Sequence, residues 1–395
     1  MGRPAAARLP PPGLLQRSTR RLGRRQRALK PAVKKTLPIA APPVYCYLHH
    51  AFPLAIMATR DDYLSWFLSH FLQLSCPADL PIESIAHDRA FKLDFFIHPL
   101  YTIEHPHYNQ FVSPWLNSTW LDWRLLAASG ESPTRFLIDC IDRDLYVELS
   151  VDMYFVRGSG AYGHRHIAHE IVVYGYDDNA QMFDTAIGFD RNGAFAAMPI
   201  PFAEVARAVA ETDLRGHYIE RGIGLFEYLG DSHSAFDLAW VRTQLADYYH
   251  GRDTGRRFPA APSRRRHVFG SEIYRILHQY LDYLVEQAIR PDIRPLHLLW
   301  EHKKCLRARV AYMEHAGHLD PALAIARRCA ALEQQADHLR LVMLRNLQRR
   351  SATSAQHIGA GLKTLAHEER LVLETLLAQL PCPPASASQE PIQPQ

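Results

Sequence analysis

Residues 164–184 constrain the fold more tightly than any other stretch of the chain. They open on three histidines (His164, His166, His169) and continue as an apolar run through Ile171, Val172, Val173 and Tyr174. They then turn at Asp177-Asp178-Asn179 and resume through Met182 and Phe183. Two apolar runs of strand length joined by Asp and Asn predict a β-hairpin. On this reading His169 begins the first strand and Asp184 ends the second, so both stand at one edge of the sheet. A carboxylate placed there can hold one nitrogen of an imidazole while the other serves a nucleophile. Further strand-like runs at 135–141 and 146–156 precede the hairpin. Asp142-Arg143-Asp144 forms a tight connection between them, and Arg157-Gly158-Ser159-Gly160 a second turn.

Helical periodicity dominates elsewhere. Leu64, Phe67, Leu68, Phe71 and Leu72 recur at helical spacing after the acidic pair Asp61-Asp62, and a short helix is expected over 200–211, after Pro201. Beyond about residue 230 glycine becomes sparse. Long apolar stripes follow: Ile273, Leu277, Leu281 and Leu284, then Leu298, Leu306 and Val310, and then Leu323 to Leu347 behind the cap-like Asp320-Pro321. A last helix is expected over 368–380. The fold class is therefore α+β, an antiparallel-sheet half followed by an all-α half. The expected organisation is a disordered basic extension over 1–40, an α+β domain over 41–230, a helical domain over 260–381 and a disordered tail over 382–395.

Charge is spread unevenly along the 395 residues. Residues 1–36 carry eleven Lys and Arg and no acid, which leaves 34 basic against 41 acidic residues in the rest, about −7. The folded part is thus mildly acidic, and nucleic-acid binding by it is not expected. The basic start lacks the apolar run of a secretory signal, and no stretch reaches the length of a membrane span. Six cysteines (Cys46, Cys76, Cys140, Cys305, Cys329, Cys382) show no metal-binding spacing, so reduced thiols and a cytoplasmic setting are expected. His164 and His166, as alternate residues of a strand, would share a face, yet no cysteine or carboxylate completes a ligand pattern. His49-His50 and His105-Pro106-His107 stand as pairs without a partner pattern. Neither metal nor cofactor is expected. Glu301-His302-Lys303-Lys304 lacks the second histidine of a metalloprotease motif and reads as a helix face in ionic contact.

A nucleophile is available at Cys46, after a proline-rich entry and before the apolar segment Leu48, Ala51, Leu54, Ala55, Ile56 and Met57. At the first turn of a helix its thiolate would be favoured by the amide dipole. Pro53 implies that this helix starts nearer Phe52 or is kinked. Tyr45-Cys46-Tyr47 before a small-residue apolar helix, with His169-Glu170-Ile171-Val172-Val173-Tyr174-Gly175-Tyr176-Asp177 and Phe183-Asp184 downstream, resembles the papain-like fold of bacteriocin-processing peptidases. It resembles more closely the N-terminal domain family of butirosin biosynthesis protein H, acyltransferases that move an aminoacyl group from a carrier-protein thioester to an amine. Such proteins occur in nonribosomal-peptide gene clusters, and 294–304 resembles their second half.

The resemblance implies a papain-like cysteine acyltransferase or hydrolase of secondary-metabolite biosynthesis. In it Cys46 is nucleophile, His169 general base and Asp184 its orienting partner. Its partners would be an acyl or peptidyl carrier protein and a small-molecule or peptide acceptor. The sequence departs from that pattern around the nucleophile. Tyr47-Leu48-His49-His50 follows Cys46 where a small residue is usual, and no glutamine precedes it, so an oxyanion donor must be a backbone amide or a side chain such as His50. If Ala51 occupies the nucleophile slot instead, the chain is a non-catalytic member that binds a carrier protein or peptide intermediate.

Overall fold

The computed structural model describes residues 33–79, 91–98, 113–189, 195–211, 222–230, 233–258, 267–286, 288–349 and 351–381. The architecture is α+β, with an antiparallel sheet as expected. Seven strands form the main sheet: β1 (Lys34–Thr36), β4 (Leu116–Asp122), β5 (Leu145–Asp152), β6 (Ala168–Asp177), β7 (Met182–Phe189), β8 (Phe195–Pro201) and β9 (Gly222–Tyr228). Their order is β4-β9-β5-β6-β7-β8, and β1 pairs with the far end of β6. The predicted hairpin is β6–β7. Its first strand carries a bulge between Val173 and Gly175, and its turn lies at Asp178–Gln181. A smaller sheet joins β2 (Leu74–Pro77) to β3 (Asp94–Phe95) and to β10 (His267–Phe269).

Ten α-helices are described: α1 (Leu48–Met57), α2 (Leu64–His70), α3 (Trp123–Ser129), α4 (Pro133–Asp142), α5 (Phe202–Ala210), α6 (Leu238–Tyr249), α7 (Ile273–Val285), α8 (Arg294–His315), α9 (Ile325–Arg349) and α10 (Ala352–Gln379). Two expectations are corrected, and a third, on the start of the helix after Cys46, is narrowed. The run at 135–141 is helix α4, because Pro133 sits at its first position and Leu137, Ile138, Cys140 and Ile141 bury one helical face. Over 1–40, the part that is described is not disordered. Lys34–Thr36 pairs with Gly175–Asp177, Leu37 is buried, and Lys35 reaches Asp144 at 2.7 Å. Helix α1 starts at Leu48 and keeps Pro53 inside. Residues 1–32, 105–107 and 382–395 lie outside the described residues.

The helical half is not separate from the sheet half. Strand β10 extends β2, and at its end Gly270 adopts φ 56°, where a Cβ would fall 2.2 Å from the carbonyl oxygen of Tyr248. Helix α8 is buried almost continuously from Pro295 to Leu306. Its polar residues therefore must find partners inside the protein. The Arg309 guanidinium donates to the carbonyls of Leu68 and Phe71, both at 2.6 Å, and so closes the C-terminal end of α2. His302 Nε2 hydrogen-bonds the carbonyl of Leu72 at 2.7 Å. Lys303 pairs with Glu369 of α10, whose other oxygen accepts from the Tyr274 hydroxyl at 2.7 Å. The helix face at 301–304, read from the sequence as charges in ionic contact, is thus an interior polar network, because the helix is covered on that side.

Truncating Arg309 to Met leaves two buried carbonyls unbonded. Arg309→Met is expected to cost about 3 kcal/mol in urea-unfolding free energy.

Glu148 on β5 is buried, and burial together with the Glu170 carboxylate pushes its pKa up to about 8. The folded state holds this proton where the unfolded chain, near 4.5, has released it. Its contribution to stability is complete below pH 4.5 and is lost as pH rises through 8. Unfolding midpoints between pH 5 and 8.5 should therefore fall more steeply for the native protein than for Glu148→Gln, by a difference on the order of a few kcal/mol.

Candidate functional site

The entry to α1 is where most functional side chains gather. Tyr47 is the N-cap in extended conformation, so Cys46, with its amide, lies one residue outside the helix. That amide and the amide of Tyr45 both donate to the Glu301 carboxylate of α8, Tyr45 N at 2.6 Å and Cys46 N at 3.1 and 3.2 Å from the two oxygens. Glu301 is fully buried and stands 3.4 Å from the His297 ring one helical turn earlier. Lys304 holds the carbonyl of Pro43 at 3.1 Å, above the Tyr45 and Trp300 rings. The loop carrying Cys46 is thus clamped along its length by α8.

The Cys46 thiol donates to the carbonyl of Arg294 at 3.4 Å. Burial, and then the carboxylates of Glu301, Asp94 and Asp292, push this thiol well above the usual range, against the opposing pull of Arg294. A helix start favours a thiolate, but here burial first and the nearby acids second outweigh it.

The predicted partners of Cys46 do not meet each other. His169 pairs across the sheet with Val151, and its Nδ1 donates to the carbonyl of Glu170 at 2.9 Å. Asp184 is the third residue of β7, opposite Gly175, and its Oδ2 accepts from the Thr36 hydroxyl at 2.7 Å. Six residues of strand separate His169 from Gly175, roughly 20 Å at about 3.3 Å per residue. The orienting role read for Asp184 is corrected on this register. The turn closes later than the Asp-Asp-Asn run suggests, so Asp184 begins the second strand instead of ending it. His164 and His166 precede β6, which starts at Ala168, and so do not share a strand face. His166 donates to Asp152 at 2.5 Å and stacks on Tyr154, whereas His164 bonds the carbonyl of Tyr162.

The first turn of α1 holds a group that sequence reasoning missed. His49 Nε2 donates to Asp94 Oδ2 at 2.9 Å and His50 Nε2 to Oδ1 at 2.8 Å, while the amide of Phe95 donates to Oδ1 at 2.8 Å. The two rings lie 4.2 Å apart between Phe71, Phe95 and Tyr47. Burial lowers His50 to about 4 despite the adjacent acid, so its ring is neutral at ordinary pH. Burial works against ionisation of Asp94, but the hydrogen-bonding imidazoles outweigh it and hold the carboxyl well below the usual range. The His-His pair was visible in the sequence. Asp94, 44 residues beyond His50 on β3, carried no spacing signal.

Compared with known proteins, the chain matches no family model and no curated relative.

The grip of Glu301 on the Cys46 loop is open to measurement. Glu301→Ala takes the acceptor from the buried Cys46 amide and is expected to cost about 1–3 kcal/mol, with faster alkylation of Cys46 by iodoacetamide; Glu301→Gln should show less than half of each effect.

Proposed function

We propose that this chain works by binding, as a papain-like protein without a working cysteine nucleophile, and that its ligand is a carrier protein or carrier-bound peptide intermediate of secondary-metabolite assembly. The observation that carries this reading is the Glu301 carboxylate on the amides of Tyr45 and Cys46. In cysteine acyl transfer the amide of the nucleophile stabilises the oxyanion that forms on the substrate carbonyl. Here a fixed internal anion already satisfies it. The raised thiol and the distance between His169 and Asp184 argue the same way. The antiparallel sheet beside α1 is in keeping with the papain-like resemblance, and the sequence pattern around 294–304 with the biosynthetic one. A cytoplasmic setting belongs to this reading; among the described residues no helix is long and apolar enough to cross a membrane.

Intact-mass spectrometry after incubation with an aminoacyl-loaded carrier protein distinguishes binding from covalent transfer. The native protein is expected to gain no acyl mass, and Cys46→Ala to bind the loaded carrier within twofold of native affinity. A stoichiometric acyl adduct on Cys46 that His169→Ala abolishes would overturn the proposal and restore the enzyme reading.

A further inference from the structure

We propose that His49, His50 and Asp94 form a binding site for one divalent first-row metal ion, zinc being the ion that suits the donor set best. Three donor groups from two separate elements, the first turn of α1 and strand β3, converge here, and their ligating atoms all lie within 4.8 Å of one another. Imidazole with carboxylate is a borderline donor set, suited to zinc and its neighbours and poorly suited to calcium or magnesium. Asp94 offers one carboxylate oxygen beside the two imidazoles, three protein donors that leave the fourth position of a zinc ion to water. Zinc bonds of about 2.0–2.2 Å in tetrahedral geometry put neighbouring donors about 3.3 Å apart. The donors stand at 2.8 and 2.9 Å, so the cluster needs to open by roughly 0.5 Å to admit the ion. His49, with 14% of its side chain exposed, is on the side where this movement meets solvent, whereas His50 is fixed against Phe71 and Phe95.

Charge and surroundings favour a cation. The cluster sets a carboxylate between two imidazoles in a largely buried place, and a divalent ion would answer its negative charge. To ligate the ion each ring must present an unprotonated nitrogen, which releases or relocates the proton it now shares with Asp94. The amide of Phe95 on Asp94 Oδ1 acts as an outer partner that fixes the carboxylate. The ion would tie α1 to β3, a two-residue strand otherwise held by two register pairs with β2.

The site is independent of the Cys46 reading, and its test needs no turnover. Chelator-treated full-length protein is titrated with zinc against a chromophoric competitor, and stoichiometry is read by elemental analysis. One zinc per chain is expected, with a melting temperature that rises with zinc concentration. Cobalt substitution should give visible d–d absorption. Asp94→Asn and His49→Gln retain hydrogen-bonding capacity and so serve where alanine variants fail to fold; each should keep the metal-free melting temperature within a few degrees. Asp94→Asn should weaken zinc affinity by about 100-fold or more, at or beyond the top of the range for losing an outer partner, and His49→Gln by at least 10-fold. The proposal fails if native protein takes up no stoichiometric zinc, or if both variants bind it as tightly as the native chain.

Discussion

The molecule is organised around the insertion of α8 into its interior. A helix buried on nearly all sides is ordinarily apolar, yet this one carries Glu301, His302, Lys303 and Arg309 at buried positions. Each is tolerable only because a specific group waits for it: the amides of Tyr45 and Cys46, the carbonyl of Leu72, the Glu369 carboxylate, and the carbonyls at the end of α2. The first half of the chain leaves these backbone groups unsatisfied by its own secondary structure. The core is therefore one unit held by polar contacts at fixed positions, and sliding α8 by a single residue would strand several of them at once.

The segment 45–50 shows how economically a short turn can serve several acids. Its amides bind one carboxylate, Glu301, and its side chains bind another, Asp94. Cys46 lies between the two, and burial first and then these carboxylates push its thiol up and not down.

Local patterns were legible in the sequence where local physics decides. The hairpin, the helix after Pro201 and the long helices from Ile273 onward follow from turn residues and periodicity. The misreadings mark where short windows fail. In 135–141 the apolar residues fit either period, and Pro133 just outside the run was the deciding residue. The hairpin register depended on a four-residue turn and a bulge, which moved Asp184 from one end of the strand to the other. Partners far apart in sequence were beyond reach: nothing near His49 pointed to Asp94, and nothing near Glu301 announced that its side of α8 would be covered. The candidate site was legible as a list of residue types around Cys46, but not as a set of contacts.

Glu369 apart, the partners that α8 satisfies lie between 230 and 261 residues earlier in the chain. During synthesis the sheet and the first helices therefore leave the ribosome long before the side chains that complete them. At about 5–20 residues per second this interval lasts on the order of 10–50 seconds, during which the carbonyls of α2 and the amides ahead of α1 have only water as a partner. Contacts of such long range also make for slow folding once the chain is released. A nascent protein of this design depends on protection of its first half until its second half arrives.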